Sequence, residues 1–139
     1  MKSLIVEDDL TSRLLLQEYL NVYGVTHLAG NGQEAVEAMR LALEADDPYH
    51  LICLDIMMPE MDGQDTLKEI RRMEAKKGVA RADRARIVMI TALSDKTNVV
   101  EALQHQCDSF LIKPCSKEKL LQELRKLKLN RPLGFWEAV

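Results

Sequence analysis

A chain of 139 residues, 47% hydrophobic and 29% charged, suits one globular domain around a single sizeable core. A net charge of −3 supplies no global basic field for nucleic acid, and no apolar stretch is long enough to span a bilayer. The start, Met1 to Glu7, meets acid too early for a secretory signal. The three cysteines (Cys53, Cys107, Cys115) are odd in number and lack metal-ligand spacing, so reduced thiols in a cytoplasm are the simplest reading.

The first apolar run, Leu4-Ile5-Val6, ends on Glu7-Asp8-Asp9. Leu16, Tyr19, Leu20 and Tyr23 then recur at helical spacing, with Gly24 as a C-terminal stop. Val25 to Ala29 is a weaker strand whose Thr26 and His27 indicate a less buried position. Asn31-Gly32 offers a turn and an N-cap, and Ala35, Val36, Met39 and Leu43 mark a second helix that Asp46-Asp47-Pro48 closes. The run Leu51-Ile52-Cys53-Leu54 stops on Asp55. Pro59 to Gly63 reads as a loop, and Leu67 and Ile70 anchor a third helix ending near Gly78. Ile87-Val88-Met89-Ile90 stops on Thr91, and Val99, Val100 and Leu103 give a fourth helix reaching toward Cys107. Phe110-Leu111-Ile112 stops on Lys113, and Ser116 caps a fifth helix carried by Leu120, Leu124 and Leu127. Five strand–helix units in alternation imply right-handed crossovers and a mostly parallel sheet covered on both faces.

Two segments stand out in composition. Seven basic residues lie between Arg71 and Arg86 (Arg71, Arg72, Lys76, Lys77, Arg81, Arg84, Arg86), which reads as a solvated helix end and loop, or as a docking patch for an acidic partner. The tail 130–139 holds Phe135 and Trp136, either an aromatic anchor or a linker stub from a longer protein.

Four of the runs stop on residues able to handle phosphate. Parallel strands open their C-terminal ends on one edge of a sheet, where open α/β folds place ligands. Glu7, Asp8, Asp9 and Asp55 would then crowd together, and like charges this close oppose joint ionisation unless a cation joins them. Oxygen donors without His or Cys favour a hard ion, Mg²⁺ above all. Lys113 can neutralise phosphoryl oxygens and Thr91 can donate a hydrogen bond to one. Asp55, a carboxylate that needs no base to ionise, is the candidate nucleophile.

In order and spacing, Leu4 to Asp9, Asp55 to Gly63, Thr91-Ala92 and Lys113-Pro114 resemble the signatures of the receiver domain of two-component response regulators, the CheY-like type. Asn31 to Ala35 resembles that family's entry to its second helix. The resemblance covers roughly Lys2 to Leu129, with residues 1–129 as the receiver domain and 130–139 as a C-terminal tail. It implies a single doubly wound five-stranded parallel sheet of order 2-1-3-4-5 and a cis peptide before Pro114. It also implies direct Mg²⁺ ligation by Asp8, Asp55 and the backbone carbonyl of Met57, with Glu7 acting through water and Asp9 just outside. Asp55 would take a phosphoryl group from a sensor histidine kinase or a histidine phosphotransfer protein. Thr91 and Phe110 would then move, and the surface of the fourth helix, fifth strand and fifth helix would change for a downstream protein effector. Phe110 as a static core residue is the plainer alternative.

The resemblance implies self-phosphorylation and slow hydrolysis rather than enzymatic turnover, and leaves room for a phosphorylation-dependent homodimer; the cysteines, charge and hydropathy of the chain give a cytoplasmic place of action with no direct contact with nucleic acid or membrane. Met57 and Leu93 flank the crevice and would shield the acyl phosphate from water. Cys115 reads as an inert thiol. A haloacid-dehalogenase-type phosphatase would also use a strand-end Asp, a hydroxyl, a Lys and Mg²⁺, but wants a second Asp where Met57 stands. A flavodoxin-like cofactor binder would want a phosphate loop where Glu7-Asp8-Asp9 would repel phosphate.

Overall fold

The computed structural model describes residues 1–58, 61–92 and 96–130, without the side chain of Lys96. Strands β1 (Ser3–Val6), β2 (Thr26–Ala29), β3 (Leu51–Asp55), β4 (Arg86–Thr91) and β5 (Ser109–Ile112) form one parallel sheet. Their order is β2-β1-β3-β4-β5, as the resemblance implies. Helices α1 (Leu10–Leu20), α2 (Gly32–Glu44), α3 (Gly63–Lys77), α4 (Lys96–Gln104) and α5 (Lys117–Lys126) make the crossovers.

Strand side chains alternate between faces, so each central strand feeds two cores. Leu4, Val6, Ile52, Leu54, Ile87 and Met89 pack with Ala35, Met39, Leu67 and Ile70 of α2 and α3. Ile5, Cys53, Val88 and Ile90 pack on the other face with Leu16, Leu20, Leu120 and Leu124 of α1 and α5. β1, β3 and β4 are apolar on both faces because both faces are covered. Each fully buried Leu or Ile contributes about 1.5–3 kcal/mol relative to exposure. β2 is an edge strand with His27 and Leu28 exposed, in line with its weaker pattern.

The helix starts are fixed by side-chain oxygens. Asp9, Asn31, Asp62 and Ser116 accept from the backbone N–H groups of Ser12, Glu34, Asp65 and Lys119 at 2.9, 2.8, 2.9 and 3.2 Å. α3 ends at Gly78, whose φ of +78° is the left-handed stop that glycine adopts without strain. α1 tightens into a 3₁₀ turn at Asn21–Tyr23 before Gly24 (φ +147°), where a Cβ would lie 1.9 Å from the Met1 carbonyl oxygen.

Two expectations need correction. α4 stops at Gln104, short of Cys107, because Gln106 turns left-handed at φ +72°. Its inward residue is Ala102, while Val100 and Leu103 face out. The basic segment is not wholly solvated either. Arg71 is buried, and its guanidinium donates to Glu74 Oε1 (2.7 Å), Ala85 O (2.9 Å), Gln106 O (2.9 Å) and Asp108 Oδ2 (2.8 Å). It ties α3 to the entrance of β4 and to the α4–β5 connection. Leu93, Phe135 and Trp136 lie outside the described residues. Among those described, no helix is long and apolar enough to cross a membrane.

Candidate functional site

Parallel pairing in register carries the ends of β1, β3, β4 and β5 to one edge, and each arrives with its polar residue. β3 closes on Asp55, whose side chain is 1% exposed. Lys113 Nζ, arriving just past β5, reaches Asp55 Oδ2 at 3.1 Å and Glu7 Oε2 at 3.6 Å. The backbone behind this contact is fixed by Lys113 N–H donating to Thr91 O (2.8 Å) and Ile56 N–H donating to Ile90 O (3.0 Å). Asp55 Oδ1 accepts from Met57 N–H at 3.2 Å. Gly63 packs so closely that a Cβ there would lie 2.3 Å from Asp55 O, so the start of α3 presses directly on the end of β3.

Glu7, Asp8 and Asp55 form an acidic cluster whose ligand oxygens lie within 4.8 Å of one another. Glu7 is buried, and its Oε1 accepts from Asp9 N–H at 3.1 Å. Its Oε2 is buried without a hydrogen-bond partner. Desolvation first, and then the Asp55 charge, push the Glu7 carboxyl up to about 7. Partial burial pulls the Lys113 ammonium down, but Asp55 and then Glu7 outweigh it and hold it above the ordinary lysine value. Asp8 is exposed at the mouth, and Asp9 turns away to cap α1.

These observations fit a hard divalent cation. A buried carboxylate oxygen with no hydrogen-bond donor, three crowded acids against the single Lys113 ammonium and an all-oxygen donor set are a site short of positive charge. Thr91 is buried at the end of β4, and among the described residues its hydroxyl has only a long 3.4 Å contact to Ala92 O, while its backbone carbonyl accepts from Lys113 N–H. Phe110 is 38% exposed on β5, which overturns the reading of it as a static core residue. Met57 is 64% exposed beside the crevice. Cys115 is free, and burial raises its thiol above the ordinary value, in keeping with an inert group.

The structure thus brings together Glu7, Asp8, Asp55, Thr91 and Lys113, with Met57 at the rim and Phe110 apart. Sequence reasoning did not reveal the Arg71–Glu74–Asp108 network. Its visible trace was an Arg and Glu three apart on a helix, a spacing usually found on solvated faces.

The family model described as "Response regulator receiver domain" matches residues 3–125. The chemotaxis protein CheY of Bacillus subtilis is 33% identical over 125 residues, 88% of this chain and 93% of that protein. The transcriptional regulatory protein SrrA of Staphylococcus aureus is 35% identical over 125 residues, 89% of this chain but 46% of SrrA, so the chain spans less than half of that relative. Among solved structures, the co-crystal of the Saccharomyces cerevisiae histidine phosphotransfer protein Ypd1 with the receiver domain of Ssk1 aligns at TM-score 0.78 and 28% identity, covering 91% of this chain and 87% of that one. With the sheet order, the acid cluster and the strand-end lysine already in place, the match over nearly the whole chain makes it a member of the response regulator receiver domain family.

Proposed function

We propose that Asp55 is the phosphoacceptor of this receiver domain, and that residues 1–129 are the functional unit with 130–139 as a tail or linker. The observation that carries the reading is the Lys113 ammonium held between Asp55 and Glu7 beside a crowded acid cluster. A strand-end carboxylate flanked by one cation and short of a second is equipped to accept a phosphoryl group.

An Asp55 carboxylate oxygen attacks the phosphorus of a phosphohistidine. The P–N bond breaks, the imidazole leaves, and Asp55 becomes an acyl phosphate. Bound Mg²⁺ would supply charge neutralisation for the transferring oxygens; Asp8, Asp55 and the Met57 carbonyl would hold it, with Glu7 acting through water. Lys113 neutralises one phosphoryl oxygen from the side. The Thr91 hydroxyl turns to donate to another. Water later cleaves the acyl phosphate and restores the carboxylate, so the domain acts as a switch with slow self-hydrolysis.

The donor is a sensor histidine kinase or a histidine phosphotransfer protein, the latter being what the Ssk1 receiver is bound to in its co-crystal. The donor must deliver its imidazole at the crevice mouth, where α1 exposes Leu10, Leu14 and Leu15. The output surface is α4, β5 and α5, whose exposed Val100, Leu103 and Phe110 offer apolar contact to a protein effector or to a second copy of the chain. The place of action is the cytoplasm. The haloacid-dehalogenase alternative gains no support, since the position two after Asp55 is an exposed methionine.

The test is incubation with acetyl phosphate, with and without Mg²⁺, followed by intact mass and peptide mapping. One phosphoryl group is expected on Asp55, dependent on Mg²⁺ and absent in Asp55→Asn. No label on residue 55 from acetyl phosphate or from a phosphohistidine donor would overturn the reading.

A further inference from the structure

At the opposite end of the sheet from the carboxylates, a cleft of about 650 Å³ opens where β4 begins. It lies between the connection that follows α3 and the connection from α4 to β5. Among the described residues its charged lining is Arg71, Arg81, Arg84 and Arg86 against Asp108, with no lysine, and Leu103 and Cys107 form an apolar wall.

The arginines fall into two groups. Arg71 is committed to Glu74 and Asp108. Arg81, Arg84 and Arg86 have no carboxylate within ion-pair distance among the described residues. Arg84 Nη1 donates to Gln106 Oε1 at 2.9 Å, while its Nε is buried without an acceptor. Arg86 Nη1 makes only a long contact to Arg84 O at 3.4 Å. Three uncompensated guanidiniums from residues 81–86 thus converge on one concavity in a chain whose net charge is −3. Like charges gathered this way gain from an anion placed among them.

We propose that this cleft is a binding site for a small anion bearing two or more phosphate groups. Guanidinium forks pair with phosphate oxygens two at a time, which the point charge of lysine does not reproduce. The volume lies in the range of small-ligand pockets, about 300–1,000 Å³. An acidic peptide would be better served by charges spread along an extended groove than by three arginines from one six-residue segment. The site is remote from Asp55 and stands or falls apart from the phosphoacceptor reading.

The test is an amide NMR titration of the whole chain in magnesium-free buffer, with inorganic tripolyphosphate and a nucleoside triphosphate in separate arms. Saturable shifts are expected at residues 81–86 and 103–108, unchanged in Asp55→Asn. The pair Arg84→Gln and Arg86→Gln should weaken binding at least about tenfold while still taking label from acetyl phosphate. If that pair fails to fold, the exposed Arg81→Gln should weaken binding severalfold. Saturation in either arm supports the site, and the tighter arm identifies the source of the phosphate. The proposal is overturned by equal shifts from sulfate at matched ionic strength, by shifts confined to the Lys113 end, or by binding of a polyglutamate peptide but neither phosphate.

Discussion

Replacing Arg71 by methionine keeps most of the side-chain stem and deletes a guanidinium that makes four hydrogen bonds. The acids left behind fare differently. Asp108 has a side chain 27% exposed and keeps the Ile87 N–H at 2.8 Å, so water can replace the lost partner. Glu74 is 1% exposed and keeps only the Ala85 N–H at 2.8 Å on its Oε2. Breaking a buried ion pair from one side costs about 3–5 kcal/mol because the remaining charge is stranded.

The Ala85 carbonyl, left without its guanidinium donor, adds about 1 kcal/mol. Urea denaturation at pH 7 should therefore show Arg71→Met less stable than wild type by about 4 kcal/mol. The midpoint should drop by about 2 M for an ordinary urea slope. Adding Glu74→Gln should recover much of the loss. A loss below about 1 kcal/mol, or no recovery on adding Glu74→Gln, would refute the reasoning.

Three further outcomes are expected. Gly63→Ala forces a methyl to 2.3 Å from Asp55 O, so it should destabilise the fold by about 1–3 kcal/mol in thermal melts and slow acetyl-phosphate labelling. Met57→Asn puts a group able to orient water at the rim in place of an apolar one, and decay of labelled protein should quicken severalfold; unchanged decay would count against a shielding role. His50 is held below its ordinary value, first by burial and then by the N-terminal charge and Lys2 against the opposing Asp47, while its Nδ1 accepts from Lys2 N–H at 2.9 Å. Its folded value is depressed, so the neutral ring contributes stability that is present above about pH 6.5 and lost as pH falls through and below it. The stability difference between wild type and His50→Gln should therefore shrink between pH 7 and pH 5 by no more than about 1.4 kcal/mol per pH unit.

Strand ends were legible because β1, β3 and β4 are buried apolar runs that stop on polar residues, and burial forbids such a break without a reason; β5, with Phe110 exposed, was legible from its apolar run alone. Helix starts were legible where a cap side chain has a single role, as at Asn31 and Ser116. Asp9 was ambiguous by spacing alone within three consecutive acids; the family resemblance set it outside the ligands, and its bonds to Ser12 make it the cap. The end of α4 was misread because Val100 and Leu103 are apolar yet exposed, and the pattern counts hydrophobic residues without knowing which face is covered. Arg71 was hidden for a related reason: apart from Glu74, its partners lie 14 to 37 residues away, and no local spacing encodes them.

Glu7 and Glu74 separate structure from function more sharply than burial does. Each is 1% exposed, and each sits beside a cation. Glu74 has both oxygens engaged, one by Arg71 and one by the Ala85 N–H, so a second cation would gain nothing there. Glu7 has one oxygen hydrogen-bonded and one without a hydrogen bond, facing the Lys113 ammonium at 3.6 Å, with Asp55 and Asp8 crowding it and its carboxyl pushed up to about 7. A fold under pressure only for stability would satisfy that oxygen, since an unmet buried acceptor costs about 1–3 kcal/mol. The deficit persists where the ends of β1, β3, β4 and β5 share one edge, beside a threonine hydroxyl whose contact among the described residues is a long one. Unsatisfied charge, not buried charge, therefore marks the crevice as the place where something must bind.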